Sequence, residues 1–446
     1  MNRCRPSVFA ALICGSLWAG EGSAQAPASL AITDVTMIPM TGSVPQRLEH
    51  QTVLVLNGTI ARVGSAADVP LPVGATVVEG RGRFLIPGLT DSHVHLWDDG
   101  AELPLYLAAG VTTIHVLMGW PEQLAWRSRV QAGQMVGPRL LLSGPLLGGP
   151  EVSWKQKVTP STAAEGAAAA GEQIRAGYDF IKIYDGLPSE AYGGAVGAAR
   201  AAGIPVRGHI PESVGLAGVL RAGQTIEHVE KIVYATWPAP HVFDTLRIPL
   251  IADSIRRAGV WVTPTLAVHE MFARIASGRF DSLMARPEVT LAPGGLLNFW
   301  RTVSAQMRGT RIPPSGTQFN SFVDYQIALA RGLHRAGVPF LAGTDLPNGV
   351  MVPGFALSDE LETLVRDVGL TPFEALQTAT INPAILARDS THSGTIVAGK
   401  RADLLLLDAD PLADIGAVRR VSGVVAAGWY YAPATLTAMV RPKRSN

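Results

Sequence analysis

Six residues of this 446-residue chain could share one piece of chemistry. His93 and His95 close the stretch Thr90-Asp91-Ser92-His93-Val94-His95, which continues the apolar run Phe84-Leu85-Ile86-Pro87-Gly88-Leu89. On a strand, a period of two puts both imidazoles on one face and Val94 on the other. Two imidazoles so placed can grip a single metal ion. Taken alone, the pair reads equally well as one core and one surface histidine. Lys182 stands in Phe180-Ile181-Lys182-Ile183-Tyr184, an apolar strand pattern for burial on both faces. Burial drives a lysine toward its neutral amine. Such an amine can take up carbon dioxide as a carbamate, whose two oxygens could bridge two cations; the alternative is a lysine paired with a buried carboxylate. His209, His228 and Asp345 each end a strand-like segment. Singly, these are compatible with core histidines and a helix-capping or turn aspartate. As a set they point to a metal site.

Such residues need a scaffold that brings strand ends together. From Phe84–His95 onward, strand and helix patterns alternate. Strand patterns follow at Val111–Leu117, Arg139–Ser143, Phe180–Tyr184, Ile204–His209, Gln224–His228, Val260–Thr265 and Val338–Thr344. Between them lie helical patterns such as Pro121–Ala132, Ser161–Ala176, Ser189–Ala202, Leu250–Ala258 and Phe322–Ala336. Several end in Ala-Gly before a β-branched strand. Eight such units predict an α/β fold, a parallel (β/α)8 TIM barrel, whose active site lies where strands end and loops begin. No Gly-x-Gly-x-x-Gly follows the first strand. The longest connection, about 266 to 320, is expected on the catalytic face as a substrate-shaping insertion or lid. Short β segments fill both ends, with the hairpin signal Asn57-Gly58 between Thr52–Leu56 and Thr59–Val63. Neither end suffices alone. The predicted organisation is therefore a signal peptide at 1–26, a small composite β-sandwich domain from 27–83 and 391–446, and the barrel at 84–390.

Apolar residues make up 47% of the chain and charged ones 16%, enough for a large core and against long disordered tracts. A net charge of +1 with no basic stripe argues against nucleic-acid binding. Arg3 and Arg5 precede the apolar stretch Val8–Trp18, and Ala24-Gln25-Ala26 offers a small-residue cleavage site. Export to the periplasm or medium after cleavage near Ala26 is expected, with no permanent membrane span. Both cysteines, Cys4 and Cys14, lie in that segment. Cys14 as a lipid anchor stays open, although Ile13 is bulky for that role. The mature chain would have no thiol, so a metal must be held by nitrogen and oxygen.

The motifs at 84–95, Ile181-Lys182-Ile183-Tyr184, Gly208-His209, Ile226-Glu227-His228, Gly343-Thr344-Asp345 and Gly399-Lys400-Arg401-Ala402-Asp403-Leu404 resemble the amidohydrolase superfamily. The resemblance is to the group related to imidazolonepropionases and metal-dependent Xaa-Pro dipeptidases, and covers nearly the whole mature length. It implies two divalent metal ions, zinc by expectation. His93, His95 and Asp345 would hold the more buried one and His209 and His228 the other, bridged by Lys182 as N6-carboxylysine. A hydroxide shared by the ions would attack an amide or peptide C–N bond of a dipeptide or N-acyl amino acid, with Asp345 as proton shuttle. Thr344 is expected to help orient the site. His115, Tyr184 or Tyr234 is expected to assist the oxyanion, and Arg207 and His269 to contact the substrate, with a salt bridge within the barrel layers an equal alternative for Arg207. The expected partner is a small molecule, and assembly into a homo-oligomer is left open. Lactone, phosphotriester or cyclic-amide hydrolysis on the same site is the alternative, and a non-catalytic metal- or solute-binding protein is a third.

Overall fold

Both ends of the chain pair in one sheet. A computed structural model describes residues 29–96, 100–236, 243–309 and 316–441. The expected signal segment, with Cys4 and Cys14, lies outside the described residues. Leu48–Leu56 and Thr59–Ser65 pair antiparallel around Asn57-Gly58, whose φ angles of 48° and 77° are those of a tight hairpin turn. Ser29–Met37 adds to the first of these strands, and Leu404–Leu407, Val421–Ala426 and Trp429–Tyr431 extend the sheet from the other terminus. Leu30, Ile32, Val53, Leu85, Leu404, Leu406 and Val425 form its core. This eight-stranded sheet is consistent with the terminal β-sandwich the sequence suggests.

The run expected as one first strand is two. Phe84–Pro87 lies in the terminal sheet between Ser29–Met37 and Leu404–Leu407, and the inner strand begins at Leu89. Gly88 makes the break: its N–H donates to Asp403 O at 2.8 Å, and a Cβ there would come within 2.2 Å of Thr112 Oγ1.

The middle of the chain is α/β. Leu89–Val94, Val111–Val116 and Arg139–Leu142 form one parallel group. Ile181–Ile183, Val206–Gly208, Thr225–Glu227 and Val262–Thr263 form a second, extended by the short pairs Leu146–Leu147 and Lys157–Val158. A parallel bridge from Ser143 to Phe180 joins the groups. The expected eighth strand, Val338–Thr344, is not a regular ladder. Leu341 N donates to Val262 O at 3.0 Å, and Ser92 N to Ala342 O at 2.9 Å, so the segment reaches both groups. Pro339 lacks an N–H, and Asp345 turns the chain with a φ of 57°.

Helices cover these strands for reasons visible in their ends and faces. Ala163–Ala176 starts with a capping box, Thr162 with Glu165, and packs closely on Ser189–Ala202. A Cβ at Gly166 would lie 2.0 Å from Ala191 O, so only glycine permits the crossing. The long connection is helical, with Leu266–Ala276, Phe280–Met284 and Gly294–Gly309, and the next helix begins at Gly316 rather than Phe322. Trp300 is buried there and donates Nε1–H to Pro347 O at 2.9 Å, which ties the insertion to the loop after Asp345. Among the described residues, no helix is long and apolar enough to cross a membrane.

Candidate active site

Strands of both parallel groups, with the turn at Asp345, deliver polar residues to one place. The His93 ring centroid lies 4.5 Å from that of His228 and 5.2 Å from that of His95, and His209 lies 5.1 Å from His228. Asp345 Oδ1 is 3.1 Å from His95 Nε2 and 3.5 Å from His93 Nε2. Lys182 Nζ stands 3.4 Å from His93 Nε2. All six residues singled out in the sequence are thus brought together. The backbone turns sharply to do this: His228, Thr265 and Asp345 hold φ angles of 68°, 52° and 57°. Such left-handed conformations cost about 1–3 kcal/mol each and persist where the surroundings enforce them. Gly208 lets the His209 strand approach, since a Cβ there would sit 2.0 Å from Ile183 O.

The histidines are aimed through their Nδ1 atoms. His93 Nδ1–H donates to Glu227 Oε2 at 2.6 Å, and Arg207 Nε–H donates to Glu227 Oε1 at 2.7 Å. His209 Nδ1 lies 3.0 Å from Asp185 Oδ2 without the alignment of a hydrogen bond, and His228 Nδ1 lies 2.8 Å from Thr265 Oγ1. His95 Nδ1 is buried with no hydrogen-bond partner among the described residues. Asp91 accepts from His93 N, Thr344 N and Thr344 Oγ1, which locks the His93 strand to the Asp345 turn. Asn348 Nδ2 donates to Asp345 Oδ2 at 3.0 Å.

Burial governs the charges. It holds the His93 and His228 rings well below the ordinary imidazole range, with neighbouring Lys182 and His93 respectively adding to the shift. His209 falls to about 4, from burial and then the Lys231 cation. Burial also lowers the Lys182 ammonium to about 8. It raises Asp91 to about 7 against its three hydrogen bonds. The imidazoles are therefore neutral, the form in which they bind metal.

The five expected substrate or oxyanion residues sit differently from one another. Arg207, expected on a substrate carboxylate, is fully buried and directs its N–H groups at Glu227, His115 Nδ1, Ser92 O and Thr263 Oγ1. His115, expected at the oxyanion, is buried beneath the site on that same guanidinium. Both lie inside the fold because a guanidinium in this strand interior is stable only when protein acceptors take up its donors. Tyr184 packs its ring 4.0 Å from His209, and its hydroxyl accepts from Trp154 Nε1 at 3.1 Å. Tyr234 is exposed at 45% and stacks on Phe322 at 5.7 Å. His269, expected to touch substrate, is buried with its Nε2 2.9 Å from Glu230 Oε2.

The donor set suits a divalent cation. One nitrogen each from His93 and His95 and one oxygen of Asp345 lie within 4.8 Å of one another. Two imidazoles and a carboxylate are an oxygen–nitrogen set of the kind that holds zinc in catalytic sites.

The amidohydrolase family model matches residues 84–429, which spans every one of these residues. The chain belongs to the amidohydrolase family. It is an enzyme of the hydrolase type, and the relatives agree. Ochratoxinase of Aspergillus niger is 24% identical over 461 aligned positions, covering 87% of this chain and 85% of its own. A candidate prolidase of Bifidobacterium longum superposes with a TM-score of 0.69 at 26% identity, over 93% of this chain and 98% of that one. Bottromycin amidohydrolase shares the fold with a TM-score of 0.74 at 24% identity, over 93% of this chain and 89% of that one.

The supporting residues Asp91, Asp185, Glu227, Thr265 and Lys231 were not singled out in the sequence. A signal existed for two: Asp91 and Glu227 interrupt apolar strands, and a charge there must be paired. Thr344 does help orient the site, but through Asp91 rather than through a histidine.

Proposed function

We propose that this amidohydrolase is an exported binuclear enzyme that cleaves an amide or peptide C–N bond in a dipeptide or N-acyl amino acid. The convergence of His93 Nε2, His95 Nε2 and Asp345 Oδ1 beside buried Lys182 carries the reading. His93, His95 and Asp345 would hold one zinc ion, His209 and His228 a second, and Lys182 as N6-carboxylysine would stand between them. Zinc so bound lowers the pKa of water and polarises a carbonyl.

The chain's own residues supply the rest. Asp345, whose Oδ1 stands 3.1 Å from His95 Nε2 at the meeting point of the donor set, takes the proton of the attacking water on its carboxylate. The carboxyl group then hands it to the leaving nitrogen. The Tyr184 hydroxyl accepts from Trp154, so its own proton is available to the substrate oxygen that gains charge. Burial raises the Tyr184 phenol above its ordinary range and keeps that proton in place. Asp91 fixes Thr344 and therefore the turn that presents Asp345.

Amide and peptide hydrolysis is supported by the names of the relatives, which include an N-substituted formamide deformylase of Arthrobacter pascens and an Xaa-Pro dipeptidase. A (β/α)8 barrel is supported by the two parallel strand groups and the 338–346 segment bonded to both. Export is supported by the basic start, the apolar Val8–Trp18 run and Ala24-Gln25-Ala26.

The test is a substrate panel on the purified chain from Pro27 onward: dipeptides, N-acyl amino acids, lactones and organophosphate triesters, with chelator and with zinc restored. C–N hydrolysis that chelator abolishes and zinc restores is expected. Lactone or triester turnover without any C–N hydrolysis overturns the reading.

A further inference from the structure

The best-supported candidate lies beside the histidines rather than among them. We propose that Asp185 and Lys231 form a positioning pair for His209, the counterpart at the site mouth of the buried Arg207–Glu227 pair behind His93. The inference rests on the two-cation reading above and adds residues to it. Asp185 Oδ2 lies 3.0 Å from His209 Nδ1 and 3.0 Å from Lys231 Nζ. Three neighbouring strands supply the parts. Asp185 follows Ile181–Ile183, His209 follows Val206–Gly208, and Lys231 lies in the first turn of the helix Val229–Thr236, directly after His228.

The chemistry follows from what each group can donate. A carboxylate only accepts, so Asp185, 3.0 Å from Nδ1 though not aligned with it as a hydrogen bond, favours the imidazole tautomer with its proton on Nδ1. Nε2 of His209 then keeps the lone pair a cation needs. Lys231 holds the carboxylate in place and is itself held: Glu230 Oε1 is 3.6 Å away, and the ammonium sits 5.4 Å over the Tyr234 ring. Glu230 is anchored in turn by His269 at 2.9 Å. The same order of cation, carboxylate and imidazole occurs in Arg207, Glu227 and His93, at 2.7 and 2.6 Å. Two ligand histidines on separate strands are therefore backed alike. The repetition assigns His269, expected on the substrate, to the far end of this support.

The experiment counts metal rather than turnover. The mature holoenzyme and its Asp185→Ala, Asp185→Asn and Lys231→Met variants are compared by elemental analysis and by competition with a chromophoric zinc chelator. Cobalt-substituted samples add the visible absorption band as a report on the ligand field. Wild type is expected to hold two equivalents. Asp185→Ala should weaken one of them about 10–100-fold and leave the other unchanged. Asp185→Asn, whose amide oxygen can still face Nδ1–H, should recover most of that loss and restore the cobalt spectrum. Lys231→Met should fall between the two. Two equivalents of unaltered affinity in Asp185→Ala, or equal loss of both, overturn the pair while leaving the two-cation reading intact. A wild-type enzyme with fewer than two equivalents overturns that reading and this inference together.

Discussion

Glu227 behind His93 and Asp185 behind His209 do the same geometric work in different surroundings. Glu227 and its partner Arg207 have no exposed side-chain surface, whereas Asp185 keeps 30% of its side chain in solvent and Lys231 keeps 14%. A sealed ion pair is costly to desolvate and holds only if every donor finds an acceptor. Arg207 meets that demand with Glu227, His115, Ser92 O and Thr263. Its planar fork satisfies partners in several directions at once, which an ammonium could not do. At the mouth, water can satisfy what the protein does not, and a lysine suffices. Burial works against ionisation of Asp185, yet His209 and Lys231 outweigh it and keep its carboxyl well below the usual range. The two supports thus differ in what their failure would break: folding for the inner one, ligand placement for the outer one.

Asp345 should give the largest effect, because it meets both His93 and His95. Asp345→Asn is expected to lower kcat by on the order of 10³–10⁴ while the unfolding temperature stays within a few degrees. Near-normal turnover would remove it as the proton carrier. Arg207→Met tests the sealed support. Removing one partner of a buried pair leaves Glu227 uncompensated, at a cost of about 3–5 kcal/mol. A clear drop in thermal stability is expected even with metal bound. Lys231→Met, its counterpart at the mouth, should cost about 1 kcal/mol or less, since solvent takes over part of its role. Equal destabilisation by the two substitutions would erase the distinction between the supports.

How much of this was legible beforehand depends on what each residue's neighbours in sequence reveal. His93, His95, Lys182, His209, His228 and Asp345 could be read because each breaks an apolar pattern at a strand end. The helix ends could also be read: Ser189–Ala202 runs as expected, stopped by Gly203 with a φ of 70°. For Arg207 the choice between a substrate carboxylate and a salt bridge inside the barrel stayed open, because strand parity says that a side chain points inward but not whether a carboxylate from the next strand meets it. Asp185 and Lys231 were hidden for a similar reason: each lies in an unremarkable loop or helix start, and only the fold sets them 3.0 Å apart. The eighth strand was misread because its apolar run has a strand's composition, while Pro339 and the turn at Asp345 limit its pairing to single bridges.

The third backed histidine offers the finest test. His228 leans on a hydroxyl, Thr265, and the carboxyl group comes one step further back. Thr265 precedes the helix Leu266–Ala276, whose first amides, Leu266 N and Ala267 N, donate to Glu360 at 3.2 and 2.7 Å. Burial raises Glu360 to about 8, and the two amide hydrogen bonds oppose that shift without cancelling it. In the unfolded chain it titrates near 4.5, so between these values the folded state binds more protons than the unfolded one. Stability from this group is full below about 4.5 and declines as pH rises toward 8. Glu360→Gln removes the titration. The difference in unfolding temperature between wild type and variant should therefore shift against wild type from pH 5 to pH 8. A difference independent of pH would mean that Glu360 is ionised in the folded enzyme. All three supports would then rest on a charged carboxylate, and depth of burial alone would no longer separate the inner supports from the one at the mouth.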